Sequence, residues 1–151
     1  SPDEEGIGNE VAALIAELQS TRSNVWWIKE MLPHDQLTAM LTAADLFICP
    51  SIYEPLGIVN LEAMGCETAV LGSRVGGIPE VVADKETGEL VDYNGEAAPF
   101  EKALTESITR LMSQPELLKK YGVAGRVRAQ KLFGWDAVAA LTVALYRSVI
   151  A

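Results

Sequence analysis

The strongest constraint on how this chain folds is an alternation of short β-type runs with helical segments in its first two-thirds. These runs are too short for helices and are separated by turn-forming residues. The predicted strands are 25–28, Leu46–Cys49, 69–71 and 89–91. Strands that alternate with helices are typical of a parallel sheet, because each helix carries the chain back to the start of the next strand. We therefore predict an α/β fold, a parallel sheet flanked by helices.

Helical segments are predicted between these strands and beyond them. Residues 8–19 carry apolar side chains at helical spacing, and helices at 33–44 and 57–64 precede the second and third strands. Pro79 begins a short helix before the fourth strand. After Asn94 the alternation stops, and three consecutive helices are predicted at 97–112, 115–131 and 135–149. No repeat or linker interrupts the chain, so residues 1–151 are predicted to form one domain.

Composition narrows the classes of protein to which the chain can belong. Hydrophobic residues make up 49% of its 151 residues, as in globular proteins. It carries 21 acidic and 12 basic side chains, and this net charge of −9 argues against a surface for nucleic acids or anionic membranes. The apolar runs are too short to span a membrane, and the acidic N-terminus lacks the pattern of a signal peptide. A cytoplasmic location is therefore expected.

The segment with the strongest chemical signal is 50–62, which reads PSIYEPLGIVNLE and connects a predicted strand to a predicted helix. In open parallel sheets, ligands bind beyond the carboxyl ends of the strands. Gly57 allows a close approach of the backbone, and the first helical amides, at 57–59, have no helical acceptor. Free amides and the helix dipole favour a phosphate group. The global negative charge opposes this only weakly, because exposed charges are screened beyond roughly 8–10 Å.

Two carboxylates flank this turn. Glu54 lies in the loop, where it could accept hydrogen bonds from sugar hydroxyls. Glu62 lies four residues after Ile58, on the same helix face, where it would repel a phosphate but could accept two hydrogen bonds from a ribose. The ordinary alternative is that both are solvated side chains, and spacing alone does not decide between these interpretations.

A second turn, VGGIPE at 75–80, also follows a strand and begins a helix. It is either a tight turn with proline near the helix start or a second backbone cradle that lines the same cleft. The single histidine, His34, lies at a predicted helix start. Neither a metal cluster nor a histidine-based catalytic triad is therefore predicted.

Several motifs in a consistent order carry a resemblance to a known family. Residues 47–64 (FICPSIYEPLGIVNLEAM) resemble the E-x7-E region of retaining glycosyltransferases of family 4. The sequences GGIPE at 76–80, TGELV at 87–91 and FGW at 133–135 resemble the later motifs of the same family. The stretch 46–91 is most similar to bacterial, actinobacterial-type glycogen synthases. The resemblance implies a Rossmann-like C-terminal domain of a GT-B glycosyltransferase, the domain that binds the nucleotide sugar.

The same resemblance implies roles for individual residues. Glu54 would be the catalytic residue, placed at the donor sugar. Substrate would be bound by Leu56, Gly57, Ile58, Glu62, Gly77, Met31 and Leu32. Within this set, backbone amides would hold the sugar and the diphosphate, Glu62 would bind the ribose hydroxyls, and the loop with Met31 would lie beside the base.

The implied reaction moves glucose from ADP-glucose, or from UDP-glucose, to an α-1,4-glucan with retention at the anomeric carbon. No cofactor and no metal are implied, because amides and cations would stabilise the leaving diphosphate. The α-glucan acceptor would bind through an N-terminal domain outside this chain, so the chain alone is expected to be inactive. Two alternatives stay open: another family-4 transferase with a sucrose, lipid or other sugar acceptor, and a non-catalytic module that binds nucleotide sugars.

Two departures from the family pattern have structural consequences. The family reads EAMACG where this chain reads EAMGCE at 62–67, so Glu67 adopts either a left-handed backbone or a different turn. The first two strands of the family's domain, and its diphosphate-binding Arg and Lys, have no counterpart here. Three outcomes are then open: the strands at 25–28 and 46–49 pair directly, a second chain supplies the missing edges, or the N-terminal segment packs loosely. The first two are favoured, and the second predicts a dimer through exposed strand edges.

Overall fold

The computed structural model describes residues 5–150 and contains a parallel sheet of three strands in the order β1-β2-β3. The strands are β1 (Leu46–Cys49), β2 (Ala69–Ser73) and β3 (Gly88–Val91). Parallel pairing places the carboxyl ends of all three strands at one edge. The predicted α/β class and its parallel sheet are confirmed.

The described residues form seven α-helices. They are α1 (Glu5–Thr21), α2 (His34–Ala43), α3 (Ile58–Gly65), α4 (Ile78–Val81), α5 (Ala97–Met112), α6 (Pro115–Arg128) and α7 (Trp135–Ile150). A π-helical turn, Ala129–Phe133, follows α6. Every predicted helix is present, with ends shifted by a few residues.

The chain divides into two compact units, Ser1–Gln36 and Leu37–Ala151. The first contains α1 and the segment 22–33. The second contains the sheet, most of α2 and all later helices. The assignment of residues 1–151 to one domain stays a prediction.

The core of the second unit covers both faces of the sheet, because successive side chains of a strand point to opposite faces. One cluster joins β1 and β2 to α2, α3 and α4 through Leu41, Cys49, Ala63, Met64, Val70, Ile78, Val81 and Val82. The other joins β2 and β3 to α5 and α6 through Ala69, Leu71, Val91, Phe100, Leu111, Leu118 and Tyr121. All five residues of β2 are buried, as expected for a central strand that is covered on both faces.

The predicted strand at 25–28 is wrong, because these residues lie in none of the three strands of the described chain. Trp26 is 79% exposed and Ile28 is 46% exposed. A strand needs a neighbour for its backbone hydrogen bonds, and apolar side chains do not supply one. The prediction that 25–28 pairs directly with β1 is also wrong. Across residues 5–150, β1 pairs with β2 alone. The dimer through a strand edge stays a prediction.

One buried carboxylate connects β3 to two helices. The Glu89 side chain is 3% exposed and accepts hydrogen bonds from Arg110 of α5 at 3.1 Å and from the Tyr121 hydroxyl of α6 at 3.4 Å. Burial alone would raise the pKa of Glu89, but hydrogen bonds from Arg110 and Lys85 outweigh it and hold that pKa below its usual value. The resulting stabilisation is present above the pKa of the unfolded chain and is lost as pH falls through the folded pKa.

The helical stretch Pro115–Ile150 has 36 residues and a segment of mean hydropathy 1.3, so by length and composition alone it could cross a membrane. This is weak evidence, because α6 packs Leu118 and Tyr121 into the core and Gly134 has an extended backbone with ψ of 151°. None of the residues of α7 is buried, and its exposed side chains include Leu141 and Val149. The absence of membrane binding stays a prediction.

Glu67 adopts the left-handed backbone, with φ of 62°. Its N–H donates to the Met64 carbonyl at 3.0 Å, which ends α3. The backbone of α6 packs closely against Glu67, since a Cβ on Gly122 would lie 1.9 Å from the Glu67 carbonyl oxygen. The side chain forms an exposed ion pair with Arg126 at 3.7 Å. Glu67 therefore carries the cost of a left-handed conformation, about 1–2 kcal/mol for a residue with a Cβ.

We expect Glu67→Gly to raise the free energy of unfolding by about 1 kcal/mol, because glycine removes the strain at positive φ. The gain is smaller than the strain itself, since glycine also increases the freedom of the unfolded chain. Urea unfolding followed by circular dichroism measures the change. Glu67→Ala is the control, because it removes the weak ion pair and keeps the Cβ. An equal gain from alanine would contradict the backbone explanation.

Candidate functional site

Two loops leave the carboxyl edge of the sheet side by side. Residues 50–57 connect β1 to α3, and residues 74–77 connect β2 to α4. Because β1 and β2 are neighbouring parallel strands, the loops are adjacent. Ser73, buried at the end of β2, donates its hydroxyl hydrogen bond to the Ser51 carbonyl. This bond fixes the start of the first loop to the second strand.

The glycine turn of the second loop packs directly on the backbone of the first loop. Gly77 N–H donates to the Glu54 carbonyl at 3.0 Å. A Cβ on Gly76 would lie 1.9 Å from the same oxygen, and a Cβ on Gly77 would lie 2.4 Å from the Pro55 carbonyl oxygen. Contact therefore excludes a side chain at both positions. The structure joins the two predicted cradles into one backbone surface, whose ligand-binding role stays a prediction.

The first loop ends where Gly57, with φ of 87°, caps the start of α3. Gly57 N–H donates to Oε1 of Glu54 at 3.1 Å, so the Glu54 carboxylate lies at the positive end of the helix. Within residues 5–150, the amides of Leu56 and Ile58 have no acceptor. Of the three amides predicted to bind the ligand, two are thus free and the third is held by the predicted catalytic carboxylate.

Glu62 lies one turn after Ile58 on α3, as predicted. Ile58 is 63% exposed and Glu62 is half-buried. In the part of the chain that the structure describes, the Glu62 side chain forms neither an ion pair nor a hydrogen bond. This freedom agrees with binding of a ribose hydroxyl and equally with a solvated carboxylate, so the ribose assignment stays a prediction.

Two arginines near this edge are engaged in structural contacts. Arg74, the first residue after β2, is paired with Asp84 at 2.6 Å and with Asp92 at 2.7 Å. Hydrogen bonds to these two carboxylates raise the pKa of Arg74. Arg128, at the end of α6, donates to the carbonyls of the last two residues of α4 at 2.8 and 2.9 Å. Neither guanidinium is available to a ligand without breaking these contacts, so the loops offer mainly backbone amides and carboxylates.

The structure adds a residue that the sequence reasoning missed. Asn60, the third residue of α3, is 0% exposed, and neither its amide nitrogen nor its amide oxygen has a hydrogen-bond partner within the described chain. A Cβ on Gly57 would lie 2.5 Å from Nδ2 of Asn60, so this side chain folds back over the helix start. The available signal was one polar residue in the run IVNL.

The remaining predicted binding residues belong to the first compact unit. Met31 is 95% exposed there and Leu32 is half-buried. Their assignment to the nucleotide base stays a prediction. No group of three His, Cys, Asp or Glu side chains among the described residues could hold a metal ion. That observation leaves the expected metal independence of the reaction untested.

The parallel sheet and the helices that flank it match solved glycosyltransferases. The sucrose-phosphate synthase of Thermosynechococcus elongatus superposes with a TM-score of 0.82 at 32% identity, over 99% of this chain and 36% of that chain. The fold is that of the C-terminal domain of a GT-B glycosyltransferase.

Sequence comparison defines the family. Residues 6–128 match the family described as glycosyl transferases group 1, and the chain belongs to this family. An alpha-maltose-1-phosphate synthase of Mycolicibacterium smegmatis is 47% identical over 152 residues, which are 100% of this chain and 39% of the relative. A D-inositol 3-phosphate glycosyltransferase of Segniliparus rotundus is 38% identical over 96% of this chain and 31% of the relative. The chain thus spans 39% or less of these relatives, which do not show the narrower glycogen synthase type.

We expect Gly77→Ala to lower the free energy of unfolding by about 2 kcal/mol or more. The new Cβ would lie 2.4 Å from the Pro55 carbonyl oxygen and 2.5 Å from Cα of Leu56, so the two loops would have to separate. Chemical denaturation measures the loss. Gly65→Ala on α3 is the matched control, because no atom lies within 4 Å of its Cβ position and alanine favours the helix. Equal losses in the two variants would contradict the close packing of the loops.

Proposed function

We propose that this chain is the donor-binding part of a retaining glycosyltransferase that transfers glucose from a nucleotide sugar. The backbone surface formed by Gly57 and by the turn at Gly76 and Gly77 carries the proposal. Free amides at Leu56 and Ile58 suit the diphosphate of a donor, because they act at a helix start without reorganisation. Family membership supports the reaction class. Since the chain covers 39% of the maltose-1-phosphate synthase, transfer itself is proposed for a longer enzyme.

Glu54 is the proposed catalytic residue. Its backbone is fixed by Gly77, and its carboxylate lies at the start of α3 beside the amides that would hold the donor. A sugar bound to those amides would lie next to this carboxylate. Glu62, one helical turn beyond Ile58, would accept hydrogen bonds from the ribose. Met31 and Leu32 are proposed to lie beside the base.

The proposed donor is ADP-glucose, with UDP-glucose as the alternative, and no cofactor is proposed. Both donors have a diphosphate and a ribose, which are the groups that the amides and Glu62 would bind. The carboxylates therefore do not discriminate between the bases. The proposed location of the enzyme is the cytoplasm, where such nucleotide sugars are consumed.

A sugar phosphate is the acceptor that the relatives favour. Each of the three names contains a phosphate ester: alpha-maltose 1-phosphate, D-inositol 3-phosphate and sucrose phosphate. We place formation of α-maltose 1-phosphate first, because that relative is 47% identical across this chain. In that reaction, a glucosyl group would join glucose 1-phosphate. Extension of an α-1,4-glucan, favoured by the motif resemblance, is the second candidate. Labelled donor offered with each acceptor separates the two.

The chain by itself is expected to bind ADP-glucose specifically but weakly, with a Kd well above the micromolar range. The amide turn and Glu62 are present, whereas Arg74 is engaged by Asp84 and Asp92 and does not serve the diphosphate. Titration calorimetry with ADP-glucose and UDP-glucose measures both affinities. Glu62→Gln should weaken binding, while Glu116→Gln on the exposed start of α6 is the control. A Kd near 1 μM would contradict the need for cations outside this chain.

In the full-length enzyme, Glu54→Gln is expected to lower kcat by about a hundredfold with little change in donor KM. Glu62→Gln is expected to raise donor KM about tenfold with kcat nearly unchanged. An interaction made only in the transition state affects kcat, whereas uniform binding of a remote ribose affects KM. The magnitudes follow from losing one preorganised group or one charged hydrogen bond.

Steady-state kinetics with varied donor concentration separates these two effects. The reverse pattern would exchange the roles of Glu54 and Glu62. Unchanged constants in both variants would show that the two carboxylates are solvated side chains.

A further inference from the structure

The first turn of helix α3 buries a polar side chain and exposes two apolar ones. Asn60 is fully buried, whereas the apolar neighbours Ile58 and Val59 are 63% and 44% exposed. Helices of soluble proteins ordinarily bury the apolar positions and expose the polar ones. A buried amide also normally has hydrogen-bond partners, and Asn60 has none within residues 5–150. Local rules that fail together in this way are typical of functional positions.

The Asn60 side chain lies against the turn that carries Glu54. The position that a Cβ on Gly57 would take is 2.5 Å from Nδ2 of Asn60, 3.6 Å from Cγ of Glu54 and 3.5 Å from Cγ1 of Ile78. Nδ2 and the Glu54 side chain therefore approach the same bare Cα. Because residue 57 is glycine, no side chain separates them.

The Glu54 carboxylate accepts a hydrogen bond from a backbone amide that the proposed nucleotide sugar would also bind. Its Oε1 accepts the Gly57 N–H at 3.1 Å, and Gly57 is one of the three amides assigned to the donor. A nucleotide sugar that accepts this N–H deprives the Glu54 carboxylate of its hydrogen bond. The carboxylate then has no other hydrogen-bond partner among the described residues, and a nearby N–H donor would hold it in one position. The unused Nδ2 of Asn60 is an adjacent group of the right kind.

We propose that Asn60 is a positioning residue for Glu54: once the donor binds the Gly57 N–H, the Asn60 amide donates a hydrogen bond to the Glu54 carboxylate and holds it at the sugar. This inference rests on the proposed function, because it requires a donor at Gly57. Asn60 has no exposed surface and therefore acts through Glu54 and not by touching the ligand. The exchange replaces one hydrogen bond of the carboxylate by another and involves no covalent step.

The test is Asn60→Ala in the full-length enzyme, with kcat, donor KM and thermal unfolding measured for ADP-glucose and UDP-glucose. We expect kcat to fall about tenfold or more, because a misplaced catalytic group reduces turnover steeply. Donor KM should change by less than about threefold. The melting temperature should stay constant or rise, since the variant removes an unpaired buried amide. Asn60→Ser, which retains a hydrogen-bond donor, should recover part of the lost kcat.

Thr68→Val is the matched control. Thr68 is also buried and polar and follows the same helix, but its hydroxyl already donates to the Leu41 carbonyl at 2.6 Å. This substitution should lower the melting temperature and leave kcat and KM unchanged, which is the signature of a purely structural residue.

Each other outcome overturns the role of Asn60. A raised KM with unchanged kcat in Asn60→Ala would indicate direct contact with the donor, and a lower melting temperature with both constants unchanged would indicate a structural amide. Equal loss of kcat in the serine and alanine variants would also contradict it. If the unaltered enzyme transfers no sugar from either donor, the proposed function fails and this inference fails with it. Transfer by the unaltered enzyme with an unaffected Asn60→Ala variant overturns this inference alone.

Discussion

The close approach of two backbone turns, in which Gly77 donates to the Glu54 carbonyl, determines the geometry of the candidate site. The turns follow neighbouring parallel strands, so the register of β1 and β2 sets the distance between them. That distance leaves no room for a Cβ at Gly76 or Gly77. Because the Glu54 backbone is fixed in this way, its side chain reaches the start of α3 and the free amides beside it.

In the second unit, two arginines form ion pairs that stabilise the fold and are not free to bind a ligand. Arg74 is committed to Asp84 and Asp92, and Arg110 is committed to the buried Glu89. These pairs leave the two loops with amide dipoles as their main attraction for an anion. A net charge of −9 and an anion-binding edge are therefore compatible, since amides act by direct contact while exposed carboxylates are screened.

The features that the sequence predicted correctly depend on local information. Short apolar runs bounded by turn residues indicated β1, β2 and β3. The sequence left open whether the turn at Gly77 would lie beside the loop of Glu54. The strand at 25–28 was wrong because strand formation requires a partner, which the run itself does not specify.

Asn60 was missed for a related reason. The run IVNL suggests that Ile58 and Val59 are inside, whereas packing of Ala63 and Met64 on the sheet turns Asn60 inward instead. The hydrogen bond between Gly57 and the Glu54 carboxylate depends on a loop conformation that no spacing rule specifies. Tertiary packing, and not local pattern, decides both.

The contact made by Arg128 has a mechanical consequence for the site. Its guanidinium bridges from the last residue of α6 to the final carbonyls of α4, and α4 begins immediately after Gly77. The chain continues from Arg128 through the π-helical turn into the exposed helix α7. A force applied to α7 that tilts the end of α6 would pull on α4 through this guanidinium. Arg128 thus connects the end of α6, and through it α7, to the helix that follows the glycine turn at Gly77.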